Sequence, residues 1–193
     1  MPVKQDYPLK KFATPRAFQQ WLSRNHGKAQ GIRIQMARKS SGIRSINYAE
    51  ALDVALCYGW IDGQSKSMDE RWFWQRFTPR RARSLWSKRN RVIVARLIDE
   101  GRMQPAGQAE IDRAKLDGRW DAAYDSPSNA TVPDDLAAEL RKSPRAKAFF
   151  ASLDGQNRYA ILHRLMTAKK PETRAKRLAT FVAMLRDGRK LYP

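Results

Sequence analysis

The hydrophobic period of this chain changes near residue 84, and that change constrains the fold more than any single motif. Before it, Ile32, Ile34 and Met36 alternate with Arg33, Gln35 and Ala37, the period-2 pattern of a half-buried strand. Residues 71–77 repeat the pattern, with Trp72, Trp74 and Arg76 on one face and Phe73, Gln75 and Phe77 on the other. With 64–68 they predict a hairpin about Asp69-Glu70, and Trp60-Ile61 predicts a further short strand. Beyond residue 84 the alternation is gone and helix signals replace it. The pattern predicts an α+β fold, a small antiparallel sheet packed with helices, followed by a helical C-terminal module.

Local chemistry places the helices. Thr14-Pro15 offers a capping hydroxyl and a proline at the first helical position, so a helix should run from there to Gly27 with Phe18, Trp21 and Leu22 on one face. The turn Lys39-Ser40-Ser41-Gly42 should end the strand at 32–37, after which Asn47 can cap an almost wholly apolar, buried helix through Tyr58 that stops at Gly59. Ser87 can open a helix ending at Gly101, and Gln104-Pro105 one ending near Gly118. The turn formers of Asp125–Thr131 read as a linker, after which Pro133, Ser143-Pro144, Asp154-Gly155 and Lys170-Pro171 each start a short helix. In the last of these Leu178, Phe181, Val182 and Leu185 form the apolar stripe, leaving Arg174, Lys176 and Arg177 toward solvent. The domains expected are therefore 1–124, a linker at 125–132, and 133–193.

At 193 residues and 42% hydrophobic content the chain can bury one substantial core or two modest ones without disulfides or metals. The single Cys57, inside an apolar run, reads as a packed thiol rather than a nucleophile. The N-terminal residues lack an apolar signal core, and no run of about 18 uncharged apolar residues occurs, which points to the cytoplasm and to no membrane span.

The charge is the chief anomaly: 38 Lys and Arg face 19 Asp and Glu, a net charge of +19. No acid occurs between Asp6 and Glu50, nor between Glu70 and Asp99. Such fields draw nucleic acid, anionic membranes or phosphorylated ligands, and they also serve solubility through self-repulsion.

The richest stretch is 71–91, where Trp72, Trp74, Phe77 and Trp86 interleave with Arg71, Arg76, Arg80, Arg81, Arg83, Lys88, Arg89 and Arg91. Guanidinium groups fork onto phosphate oxygens and aromatic faces stack bases, although the same tryptophans could fill a core with arginines lying around it. Ser84, Ser87 and Asn90 mark a helix start whose free N–H groups favour anions. Arg80 and Arg81, held after Pro79, should form the densest positive patch of the α+β domain. Asp62 is either a carboxylate that pairs with an arginine or serves as a base, or part of an Asp-Gly turn. Trp60, Asp62, Trp74, Trp86 and Asn90 could together wall a pocket.

Catalytic signatures are absent. No H-E-x-x-H, C-x-x-C, G-x-S-x-G, S-x-x-K, Walker A or G-x-G-x-x-G pattern occurs, and the two histidines, His26 and His163, are far apart in sequence. Neither a metal nor a cofactor is expected. His26 reads as a dipole partner at a helix C-terminus, and His163 as a helix-surface or core residue.

Three blocks, Ala55–Gly63, Arg76–Arg81 and Ser84–Asn90, resemble in order and spacing the YdeI/OmpD-associated, bacteriocin-protection family. Gly101–Gly107, Ala114–Trp120 and Ala168–Arg177 fit its later blocks. The resemblance implies a role in stress or bacteriocin protection through a protein or envelope partner, and it carries no catalytic residues. The residues themselves point to a non-enzymatic binder of a polyanion, DNA or RNA, through Arg71, Arg76, Arg80, Arg81, Arg83, Ser87, Lys88 and Arg89. An enzyme acting on a small anionic metabolite is the remaining reading.

Overall fold

The structure, a computed structural model, describes residues 7–193. In chain order its elements are β1 (Leu9–Lys11), α1 (Pro15–Asn25), β2 (Ile32–Ala37), a 3-10 turn (Lys39–Ser41), α2 (Tyr48–Cys57), β3 (Trp60–Ser67), β4 (Trp72–Pro79), α3 (Lys88–Asp99), α4 (Pro105–Leu116), α5 (Asp134–Lys142), α6 (Pro144–Ser152), α7 (Gly155–Met166) and α8 (Pro171–Arg186). They divide into two compact units. The first runs through Trp86 and includes Asn90–Ala122; the second comprises Ser87–Arg89 and Ala123–Pro193.

In the first unit a four-stranded sheet has the order β1-β2-β4-β3. Both β2–β4 and β3–β4 are antiparallel, as the alternation predicts, while β1 adds a parallel edge strand beside β2. The sheet is thus mixed. β3 is one strand from Trp60 to Ser67, not a short strand followed by a turn, because the register shift between Asp62 and Ser65 absorbs the glycine. Asp62 therefore closes no turn; its Oδ2 accepts the Tyr48 hydroxyl at 2.9 Å.

One face of the sheet is core. The registers Ile32↔Phe77, Ile34↔Gln75 and Met36↔Phe73 align its side chains, and the Phe77 ring lies 5.9 Å from that of Phe18 on α1. Thr14 caps α1 by accepting from Ala17 N, and Pro15 fills the first helical position. Asn47 and Glu50 form a reciprocal capping box at the start of α2, whose Ala51, Leu52, Val54, Ala55, Leu56 and Cys57 are buried. Burial pushes the Cys57 thiol up to about 11, the behaviour of a packed, unreactive cysteine. Gly59 closes the helix at φ 72°, and a Cβ there would meet the Ala106 carbonyl oxygen at 2.8 Å. Gly107 faces the Cys57 carbonyl in the same way, so the end of α2 and the start of α4 approach backbone to backbone, each contact needing a glycine on one side.

The second unit is helical apart from one bridge, Ser87↔Tyr124. Leu136, Leu140, Phe150, Ile161, Leu165, Phe181 and Leu185 form its core. Each expected helix start is present: Ser143 and Asp154 accept from Ala146 N and Asn157 N, and Pro144 and Pro171 occupy first-turn positions. Lys176 is exposed, but Arg174 and Arg177 turn inward against the expectation. Arg174 grips both oxygens of Asp135 at 2.7 and 2.8 Å and donates to Leu165 O, holding Asp135 below the ordinary carboxylate range. No described helix is long and apolar enough to cross a membrane.

Candidate functional site

The face of the sheet opposite the core is built from the alternate positions of the same strands. Arg33 lies opposite Arg76, Gln35 opposite Trp74, and Ala37 opposite Trp72, while β1 sets Leu9 beside Arg33 and Lys11 beside Gln35. Lys66 of β3 faces Trp74 from the other side. Both tryptophans are half-buried, and Leu9, Lys11 and Lys66 are exposed. None of these strand positions is acidic.

Cations bracket the rings. Lys11 Nζ stands 4.9 Å from the Trp72 ring centroid, the Arg33 guanidinium 5.6 Å from that of Trp74, and the Arg76 guanidinium 5.9 Å from that of Tyr7. Gly63 permits this layout, since a Cβ there would come within 2.8 Å of Arg76 Nε. Like charges directly opposite on a sheet destabilise it, and Arg33 of the Arg33↔Arg76 pair also serves the fold, its Nε donating to Tyr7 O at 2.7 Å.

The remaining sequence-predicted residues separate into different roles. Arg71 is exposed at the hairpin turn, where its N–H donates to Asp69 Oδ1, and Arg81 and Arg83 are exposed in the loop after β4. Arg80 is 6% exposed, so the expected surface patch at Arg80 and Arg81 does not form. Its guanidinium lies 3.6 Å from the Trp86 ring centroid and donates to Leu85 O at 3.1 Å. Arg119, equally buried, takes both oxygens of Asp117 through Nε and donates to Ser84 O at 2.8 Å. Two arginines thus brace the 80–86 loop from inside, and the Trp120 ring packs edge-on to Trp86 at 5.1 Å.

The pocket residues do not converge either. Trp60 and Trp86 are buried, Trp60 donating to His26 O at 3.1 Å; Asn90 is buried; Asp62 faces Tyr48; only Trp74 reaches the open sheet face. Ser87, Lys88 and Arg89 belong to the second unit, where Ser87 is buried and Lys88 pairs with Asp125 at 2.9 Å. Sequence reasoning missed Lys11, Arg33 and Lys66. For Arg33 the signal was present: a strand whose Ile32, Ile34 and Met36 face the core must turn Arg33 the other way.

Two family descriptions match the chain. Residues 10–110 match Domain of unknown function (DUF8412), and residues 129–188 match Bacteriocin-protection, YdeI or OmpD-Associated. The sequence blocks between Ala55 and Gly107 fall in the first match and Ala168–Arg177 in the second, while Ala114–Trp120 lies in neither. No curated protein and no solved structure matches.

Proposed function

We propose that this chain, which belongs to the YdeI/OmpD-associated, bacteriocin-protection family by its residues 129–188 and matches DUF8412 over residues 10–110, binds single-stranded nucleic acid through its sheet. The observation that carries this reading is the outward pair Trp72 and Trp74, set two positions apart on one strand and flanked by Lys11, Lys66 and Arg76.

Positions two apart on a strand are separated by about 7 Å, enough to offer successive bases separate rings along an extended backbone. Indole faces stack any base, and neighbouring ammonium and guanidinium groups reach phosphate oxygens. A duplex fits less well. Four strands span about 14 Å between their outer axes, wider than a B-form major groove of about 12 Å. Stacking in any case needs bases that are already unpaired.

Binding of short oligo-U, oligo-dT and a duplex of equal length, followed by tryptophan fluorescence, tests this. Single strands should bind more tightly than duplex. With Lys11, Arg33, Lys66 and Arg76 all engaged, log Kd should change with log salt at a slope of about 3 in magnitude, roughly 0.7 per contact. No binding at low salt, or tighter binding of duplex, refutes the reading.

A further inference from the structure

The second unit carries an open groove of about 850 Å³ whose lining lies wholly within that unit. That volume falls in the range of small-molecule sites. Tyr124 and Pro127 supply one wall, α7 the floor through Tyr159, His163 and Arg164, and Arg177 and Tyr192 the far side. The rings are fixed by contacts away from the groove. The Tyr159 hydroxyl donates to Asp125 O at 2.8 Å, and its phenol, pushed up to about 12 by burial, stays protonated. Buried Asn157 accepts from Leu191 N and Tyr192 N and donates to Tyr192 O, which ties down the segment bearing the Tyr192 ring. The His163 ring stands perpendicular to Tyr124 at 4.6 Å and tilted against Tyr159 at 5.6 Å.

The groove is cationic and contains no acid. Arg164 donates to Tyr192 Oη and Ala160 O, and Arg177 donates to Arg164 O at 2.6 Å. A guanidinium has five N–H donors, so these bonds leave donors to spare on both. Among the described residues no carboxylate lies within ion-pair distance of either, whereas Arg174, one turn before Arg177 on the same helix, is neutralised by Asp135. His163 has no hydrogen-bond partner for its ring among the described residues, and burial together with Arg164 and Arg177 lowers its pKa. A helical unit that neutralises Arg174 with a carboxylate and leaves Arg164 and Arg177 beside a ring-lined groove has the parts of an anion site.

We infer that this groove binds a small planar anion, an aromatic or heteroaromatic ring bearing a carboxylate or phosphate. The ring lies among Tyr124, Tyr159 and His163, and the anionic group meets Arg164 and Arg177. Aromatic carboxylates and nucleoside monophosphates share this chemistry, and the site is independent of the sheet face proposed above.

Calorimetric titration of the full chain with salicylate, adenosine monophosphate, adenosine and inorganic phosphate tests the inference. At least one ring-bearing anion should bind, and adenosine and phosphate alone should bind at least about tenfold more weakly than it does. Arg164→Gln and Arg177→Gln should each weaken that binding by about tenfold or more, and Arg177→Lys by less, with melting temperatures compared alongside. If R177Q does not fold, R164Q carries the test. W74A/R76A should bind the small anion like the parent; loss of binding there would put the anion on the sheet and overturn the inference. So would failure of both ring-bearing anions to bind, equal binding by R164Q, or phosphate binding as tightly as the ring-bearing anion.

Discussion

Arg80 over Trp86 and Lys11 over Trp72 are the same kind of pair, a cation against an indole face, yet one is sealed inside the first unit and the other lies on its open sheet surface. In the buried pair the guanidinium and ring are 3.6 Å apart and the arginine also holds Leu85 O; in the open pair the ammonium is 4.9 Å away on an exposed side chain. A desolvated cation–π contact can contribute about 2 kcal/mol or more, an exposed one about 0.5–1. Basic-aromatic composition therefore does not by itself mark a binding surface. What separates the two is strand register: Trp72 and Trp74 occupy outward positions of a paired strand, whereas Trp86 follows β4 in a loop and packs against Arg80 and Trp120.

Tryptophan truncation should separate the two pairs most visibly. Trp86→Ala, at a 1% exposed position, should cost about 3–5 kcal/mol through the cavity it leaves, read as a fall in denaturant midpoint. Trp74→Ala should cost clearly less stability and instead weaken single-strand binding by about 1–3 kcal/mol. If the two variants lose equal stability and W74A binds like the parent, the distinction between them disappears.

Arginine substitutions come next in size. Arg80→Ala removes a charge-assisted hydrogen bond and a desolvated ring contact, for an expected loss of about 3 kcal/mol. Arg81→Ala, one residue on and exposed, should lie within about 0.5 kcal/mol of the parent. Thermal melts of the two single variants side by side decide the matter, and an R80A protein that melts like R81A would mean Arg80 braces nothing.

Much of this architecture was legible in the sequence. Proline and capping side chains fixed the starts of α1, α2 and α4 through α8, because those signals act within one turn and need no tertiary partner. Alternation gave β2, β4 and the two faces of β4. The parallel edge β1 was not legible: Leu9-Lys10-Lys11 is too short to show a period and exists through its pairing with β2. Arg80 defeated the reading because its burial depends on Leu85 O and Trp86, partners that no periodicity predicts. The groove of the helical unit stayed hidden for a similar reason, since Tyr124, His163, Arg177 and Tyr192 come from four separate segments, the one before α5, α7, α8 and the C-terminal residues, which only tertiary packing brings together.

A smaller effect concerns His163. Its pKa is lowered from 6.5 by burial and by Arg164 and Arg177, so the folded state binds protons less readily than the unfolded one. Its contribution to stability is therefore complete above 6.5, falls as pH drops below that value, and levels off below the folded pKa. His163→Gln should flatten the difference in melting temperature between about pH 7.5 and 5.5, a window in which ordinary carboxylates remain ionised. An unchanged pH dependence in H163Q would show that the imidazole is not held neutral by its surroundings.

The most direct test of the sheet-face account is ultraviolet cross-linking of the full chain to a short single-stranded oligonucleotide, with the modified residues located by mass spectrometry. The account predicts adducts at Trp72, Trp74 and their neighbours on β1 and β2, lost in the W72A/W74A double variant. Cross-links confined to the 80–91 segment or to the helical unit, or a pattern unchanged in that double variant, would contradict it.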